Sequence, residues 1–193
     1  MIARNIHRYC LQKTRKLGSS TISIRDHTIF HHGIESRPNA QGRNSAGVMI
    51  ILGSDLTWAW ARAGKLEPMK YNPNSKYPGR LIGVTLSFPN QSNRKSDTFS
   101  KKARGNIKIF LCSSYHPYEH AEQIDFYDEL DTFPTNRPLN SELILGADVN
   151  WNVGIRSTMF QDVIGPNGLN NINFKGKDLL YLLKSNQFKI LLS

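Results

Sequence analysis

The chain has 193 residues, 39% of them hydrophobic and 21% charged, a size at which one core can bury about 70% of the surface exposed by the unfolded chain. Nine Phe, seven Tyr and three Trp supply the bulk for such a core and exclude a wholly disordered chain. No apolar run approaches the roughly 18 residues of a membrane-spanning helix, and Met1 to Ser20 lacks the apolar centre of a secretory signal. The expected location is therefore intracellular, the nucleus included, with no membrane partner. Twenty-five Lys and Arg stand against fifteen Asp and Glu, a formal charge of +10, which favours a polyanionic partner through counterion release and steering. Cys10 and Cys112 are the only cysteines, too few for a disulfide scaffold or a zinc site, and both read as reduced thiols.

Residues 1 to 20 carry Arg4, Arg8, Lys13, Arg15 and Lys16 with no acid, and end on the break Leu17-Gly-Ser-Ser. This stretch reads as a basic, poorly ordered arm, with the folded domain spanning residues 21 to 193. Thr21-Ile-Ser-Ile and Thr28-Ile-Phe, joined by Arg25-Asp-His, predict two short strands and a turn. A loop follows over Gly33 to Ser45. Ala46-Gly-Val-Met-Ile-Ile-Leu-Gly is a continuous apolar run bounded by breakers, the pattern of a strand buried on both faces. Gly79 to Phe88, Asn106 to Ser113 and Glu142 to Gly146 repeat that character, and the polar, basic segment from Pro89 to Arg104 reads as a solvated loop.

Glu119 to Phe133 predicts a helix, with Ala121, Ile124, Tyr127 and Leu130 on one face, Glu122, Asp125, Asp128 and Glu129 outward, and Pro134 as its stop. A second helix is expected from Lys177 to Asn186, followed by a closing strand, Phe188-Lys-Ile-Leu-Leu. Strands and helices in this order argue for an α/β sandwich. Neither Gly-x-Gly-x-x-Gly nor the Walker pattern occurs, which argues against a nucleotide-binding Rossmann or P-loop domain.

Chemistry concentrates where buried strands end. Leu143-Ile-Leu-Gly-Ala-Asp-Val-Asn delivers Asp148 and Asn150 two residues apart, so their side chains share a side if the chain stays extended. A carboxylate beside a carboxamide can orient a water and donate a hydrogen bond to developing negative charge; an Asx turn closing the strand uses the same residue types. Ile109-Phe-Leu-Cys-Ser-Ser-Tyr-His-Pro ends in Tyr115, whose phenol can hydrogen-bond a phosphoryl oxygen or simply cap the sheet. Arg94, Lys95, Lys101, Lys102 and Arg104 form a basic loop suited to a nucleic-acid backbone. Elsewhere, His116 and His120 have the spacing of a helical metal pair, but Pro117 keeps His116 out of the helix. His31 and His32 read as a solvated pair on opposite faces of a strand, and Trp58 and Trp60 as packing aromatics.

Ser114-Tyr-His-Pro followed by Gly146-Ala-Asp-Val-Asn resembles the endonuclease/exonuclease/phosphatase superfamily, which includes the AP endonucleases, the DNase I relatives and the endonuclease domains of LINE-type retrotransposons. Gly165-Pro-Asn-Gly-Leu-Asn-Asn-Ile-Asn-Phe-Lys-Gly-Lys-Asp-Leu-Leu is similar to a stretch of the retrotransposon branch, as are Asn39-Ala-Gln-Gly-Arg-Asn-Ser-Ala-Gly-Val and Gly79-Arg-Leu-Ile-Gly-Val. The resemblance implies a DNase I-like four-layer α/β sandwich, two sheets flanked by helices, that cuts DNA phosphodiesters with Mg²⁺. It implies that Asp148 orients or deprotonates the attacking water, Asn150 contacts the scissile phosphate and Tyr115 stabilises the charge of the transition state. Two departures limit that expectation. The family's first strands, which carry an Asn and the metal-binding Glu, should precede residue 21, yet residues 1 to 20 hold only Asn5 and no Glu; Glu35 is the first Glu, in a loop. The family's Ser-Asp-His motif, which carries the catalytic His, does not occur either. The expectation is an incomplete domain, cut at both ends, with an incomplete metal-ligand set and little or no cleavage; the alternative is a non-catalytic nucleic-acid-binding remnant. Loss of an acid/base group alone typically costs about 10² to 10⁴-fold.

Overall fold

The computed structural model describes residues 8–35, 46–70, 78–89, 106–118, 120–150, 153–154, 159–164 and 172–185. Among them the chain is mixed α/β, with two four-stranded sheets and three helices. It divides into two compact units, Met1–Tyr115 with Arg137–Asp148, and His116–Asn136 with Val149–Ser193.

Both sheets lie in the first unit. Strands β1 (Arg8–Gln12), β2 (Ser19–Ile24), β3 (His27–His32) and β4 (Val48–Leu52) form an antiparallel sheet in the order β1-β4-β3-β2. Helix α1 (Ser54–Arg62) follows, and then β5 (Met69–Lys70), β6 (Leu81–Phe88), β7 (Ile107–Tyr115) and β8 (Ser141–Asp148) form the second sheet in that order. Its pairings are antiparallel except for β7 and β8, which run parallel.

The apolar pattern explains how the sheets meet. Phe30 from β3 and Val48, Ile50 and Leu52 from β4 form one core with Ile82, Val84 and Leu86 from β6 and Leu111 and Tyr115 from β7. Full burial of each such aliphatic side chain contributes about 1.5–3 kcal/mol. Strand β6 is buried at every position from Leu81 to Ser87, as its mainly apolar run predicts, with Thr85 and Ser87 buried along with the apolar residues. Strand β4 differs from that expectation: Val48, Ile50 and Leu52 are buried, while Met49 and Ile51 face outward and are only half-buried. The run is continuous in the sequence because the outer face of this sheet is apolar as well.

The stretch expected to be a poorly ordered arm contains β1, hydrogen-bonded along β4 from Arg8 with Leu52 to Gln12 with Val48. As an edge strand it leaves Tyr9 and Leu11 exposed, so only Cys10 supplies an inward apolar group and the alternation is too short to read. Cys10 lies over β8, where a Cβ added at Gly146 would stand 2.6 Å from the Cys10 Cβ. Glycine at 146 is therefore what lets β1 approach. Cys10 Sγ donates to the Cys112 carbonyl at 3.6 Å, and both cysteines are free thiols.

Helix α1 carries the two tryptophans with different environments. Trp60 packs edge-on against Phe30, centroids 5.0 Å apart, and its indole N–H donates to the Leu66 carbonyl at 2.9 Å. Trp58 is exposed, with the Arg62 guanidinium 4.5 Å above its ring, so only Trp60 is the packing aromatic expected.

In the second unit, α2 (His120–Thr135) runs one residue past Pro134, and buries Phe126, Leu130 and Phe133. Helix α3 (Phe174–Ser185) starts three residues before its expected first residue, Lys177, because Asn173 caps it: its Oδ1 accepts the Gly176 N–H at 2.8 Å. Leu179, Leu180 and Leu183 of α3 pack with Phe160, Val163 and Ile164. The expected closing strand from Phe188 and the expected motif residues 165 to 171 lie outside the described residues.

Candidate site at the ends of β7 and β8

Strands β7 and β8 pair in parallel from Lys108 with Ser141 to Tyr115 with Asp148. Each strand therefore ends on a residue singled out by the sequence, and the two ends are direct neighbours at the carboxyl edge of the sheet. Carboxyl ends of parallel strands are the usual place for ligand and reacting groups in α/β folds.

Tyr115 is 3% exposed and belongs to the core. Its N–H donates to the Arg80 carbonyl at 2.9 Å, and its own carbonyl accepts from Arg80 Nη1 at 3.3 Å. The Arg80 guanidinium lies 5.0 Å from the Tyr115 ring centroid and the Lys13 ammonium 5.9 Å from it. These distances lie within the range of cation–π attraction. Lys13 follows β1 directly and has φ of 57°, as has Arg15. The left-handed backbone is fixed by Thr14 N–H to the Gly47 carbonyl, 3.0 Å, and Arg15 N–H to the Ala46 carbonyl, 3.1 Å. Gln12, one residue earlier, donates through Nε2 to Ser113 Oγ and to the Gly146 carbonyl, both at 3.3 Å, which ties the end of β1 to β7 and β8.

The adjacent histidines of β3 support these two cation-bearing segments, and are not the solvated pair expected. His31 is 1% exposed, and its Nε2 lies 3.1 Å from Thr14 Oγ1, beside Lys13. His32 Nε2 accepts the Gly79 N–H at 3.3 Å, beside Arg80, so Nδ1 carries the proton and donates to Ser19 Oγ at 2.8 Å. Burial, aided by the charges of Lys70 and His31, pushes His32 down to about 4. Burial and the Lys16 charge lower His31 as well.

Asp148 is half-buried and closes β8. The extended geometry that would align Asn150 with it does not persist, because Asn150 has φ of 54°. Asn150 belongs to the second unit, where its Nδ2 donates to the His116 carbonyl at 3.1 Å. His116 is fully buried, its ring 5.0 Å from that of Phe126, and it lies outside α2. Tyr127 of α2, also in that unit, is pushed above the ordinary tyrosine range by burial and by Asp178. Burial likewise pushes the Cys112 thiol well up, with Cys10 adding and Arg137 opposing, which makes it a poor nucleophile. Arg94, Lys95, Lys101, Lys102 and Arg104 lie outside the described residues.

A divalent ion needs several oxygen donors, carboxylates foremost. The strand ends offer Asp148, but the neighbouring Tyr115 carries two cations on its ring rather than a second acid. Among the described residues no three His, Cys, Asp or Glu gather into a metal-holding group. The described residues at this end of the sheet therefore do not by themselves make a donor set for Mg²⁺. Lys13 and Arg80 are the site residues that sequence reasoning missed. Arg80 follows Gly79 at the start of a legible strand, but nothing local marks Lys13, whose importance comes from the edge strand before it. Comparison with protein-family models, with curated proteins and with solved structures finds no match to this chain.

Proposed function

We propose that the chain is a nuclease-type domain of retrotransposon descent, with a phosphodiester site at the ends of β7 and β8 and weak or no cleavage of its own. The observation that supports this reading most is the parallel pairing that sets Tyr115 beside Asp148 at the carboxyl edge of the second sheet. In this reading the finer architecture is the DNase I-like four-layer sandwich, and DNA is the partner, attracted by the net charge of +10. Asp148 orients or deprotonates a water and Tyr115 borders the phosphate. Mg²⁺ would ordinarily supply charge neutralisation and an activated nucleophile. Because the described residues do not by themselves make a donor set for that ion, no step is routed through it and cleavage is expected to be weak or absent. A second reading, non-catalytic nucleic-acid binding, is favoured by the two cations on the Tyr115 ring.

The test is nicking of supercoiled plasmid by the purified chain in Mg²⁺, with EDTA and Asp148→Ala as controls, alongside a binding measurement on the same DNA. The expected result is DNA binding with little or no nicking. Strong nicking that needs Mg²⁺ and is lost in Asp148→Ala would establish a competent nuclease and overturn the argument from the donor set. A chain that neither binds nor nicks DNA would end both readings.

A further inference from the structure

We propose that β2 is a docking edge for a second copy of this chain, and that two copies join β2 to β2 in antiparallel register about a twofold axis at Thr21. The inference does not depend on the phosphodiester reading.

The order β1-β4-β3-β2 leaves β2 at one side of the first sheet, with β3 as its partner strand among the described residues. An edge of this kind offers backbone donors and acceptors to another strand, and chains that stay apart blunt it with charge, proline, a bulge or brevity. Ser19-Ser-Thr-Ile-Ser-Ile uses none of these devices: it is six residues long, uncharged and β-branched at Thr21, Ile22 and Ile24. Its register with β3 runs unbroken from Ser19 with His32 to Ile24 with His27. All of it but Ser20 is exposed.

The ladder decides which residues face the open side. The Gly33 N–H donates to the Gly18 carbonyl at 2.8 Å, which continues the β2–β3 register by one pair. Bonded and non-bonded pairs alternate along an antiparallel ladder. Ser20, Ile22 and Ile24 therefore bond inward to β3, as expected for Ile24 and His27 on either side of the two-residue turn Arg25-Asp26. Ser19, Thr21 and Ser23 hold their N–H and C=O groups toward the open side. One antiparallel self-pairing employs all three on both copies, with Thr21 opposite Thr21 and Ser19 opposite Ser23. A shift of two residues leaves one of the three without a partner on each copy.

Charge favours the same register. It brings exposed Lys16 of one protomer to the same end of the ladder as exposed Asp26 of its partner, and the twofold axis repeats the pair at the other end. The outer face also becomes continuous. Ile22 lies in one row with Ile29, Ile51 and Tyr9, and in the paired sheet the two Ile22 side chains are diagonal neighbours across the axis. Such a contact is isologous and closes at two copies. A single strand pair buries little area, so the dimer is a reversible one.

The experiment is sedimentation velocity on the purified chain over a concentration series, without nucleic acid. A reversible monomer–dimer equilibrium is expected. Thr21→Pro removes the outward N–H at the axis from both copies and leaves the bonds from β2 to β3 in place, which should raise the dimer dissociation constant about tenfold or more. Thr21→Lys keeps the backbone intact and sets like charges directly opposite each other. It should weaken the dimer as well, and it keeps the test valid should Thr21→Pro not fold; thermal melts establish which variants do. A short bis-maleimide should join two copies of Thr21→Cys but not of Ser23→Cys, because only residue 21 meets itself at the axis. A chain that stays monomeric throughout overturns the inference. So does a dimer left unchanged by folded Thr21 variants, which places the contact elsewhere, and so does growth past the dimer, since the paired β2 edges leave neither one open.

Discussion

The two sheets of the first unit are held by different means. Strand β6 is buried on both faces from Leu81 to Ser87 and β7 from Phe110 to Tyr115, so burial alone fixes their place. The first sheet buries one face only, through Phe30, Val48, Ile50 and Leu52, while Ile22, Ile24, Tyr9 and Leu11 remain exposed on its outer strands. What it lacks in burial it replaces with specific contacts: Gln12 to Ser113, Thr14 to His31, Ser19 to His32 and Gly79 to His32. A sheet fastened in this way is more sensitive to single polar or steric changes, and its fastenings are the ones that set Lys13 and Arg80 beside Tyr115.

The largest effect is expected at Gly146, where the two sheets meet at the edge strand. An added Cβ would stand 2.6 Å from the Cys10 Cβ, an atom rooted in the β1 backbone. Gly146→Ala should therefore cost about 1–3 kcal/mol, the range for an overpacked contact, read as a lower denaturant midpoint with an unchanged slope. The double variant Gly146→Ala with Cys10→Gly should recover part of that loss, since one change removes the atom that the other meets. Full additivity would show that β1 does not rest on Gly146.

The same contrast decides what could be read in advance. Strands whose neighbours on both faces are apolar announce themselves as runs, and Gly79 to Phe88 and Asn106 to Ser113 fall on β6 and β7. Strand β8 was legible as an apolar run as well, but the expectation that it is buried on both faces does not hold: Leu143 to Gly146 are only half-buried and Glu142 and Ala147 are exposed. Strand β1 was not legible, because Arg8 and Gln12 flank a three-residue core of which only Cys10 turns inward, amid basic residues that read as a solvated arm. Helix α1 escaped notice because its short run, from Ser54 to Arg62, starts on Gly53 with no side-chain cap and buries only Ala59 fully. The histidines and Lys13 were beyond sequence reasoning altogether: their roles depend on segments brought together from residues 12 to 16, 31 to 32 and 79 to 80. The αL turn at Asn150 was foreshadowed only by the ambiguity of Asx residues after a strand.

Acid should loosen the first sheet before the second. His32 is held near 4, below its ordinary value of 6.5, so the folded chain binds fewer protons than the unfolded one between those values. Its contribution is complete above the ordinary value and is lost as pH falls toward the folded one, and the lowered His31 acts in the same sense. Asp26, kept below the usual carboxylate range by a backbone hydrogen bond and by His27, loses its contribution at lower pH still. Denaturant midpoints measured from neutral pH down to about pH 5 should therefore fall, and His32→Gln should flatten the decline. A decline of the same steepness in His32→Gln would assign it to other groups.

The smallest effect is a gain. Thr28 faces the interior of the first sheet with no exposed surface, and its Oγ1 finds no hydrogen-bond partner among the described residues. A buried hydroxyl without a partner costs about 1–3 kcal/mol relative to its hydration, so Thr28→Val, which keeps the branched shape and the strand preference, should raise stability by about 1 kcal/mol. Ser114, buried on the second sheet with its Oγ also unpartnered among the described residues, provides the comparison. Ser114→Ala leaves a void the size of the removed oxygen in a sheet that relies on dense packing, so its gain should be smaller than that of Thr28→Val. If the two gains are equal, the sheets do not differ in how much they depend on packing, and the contrast drawn between them fails at its most sensitive point.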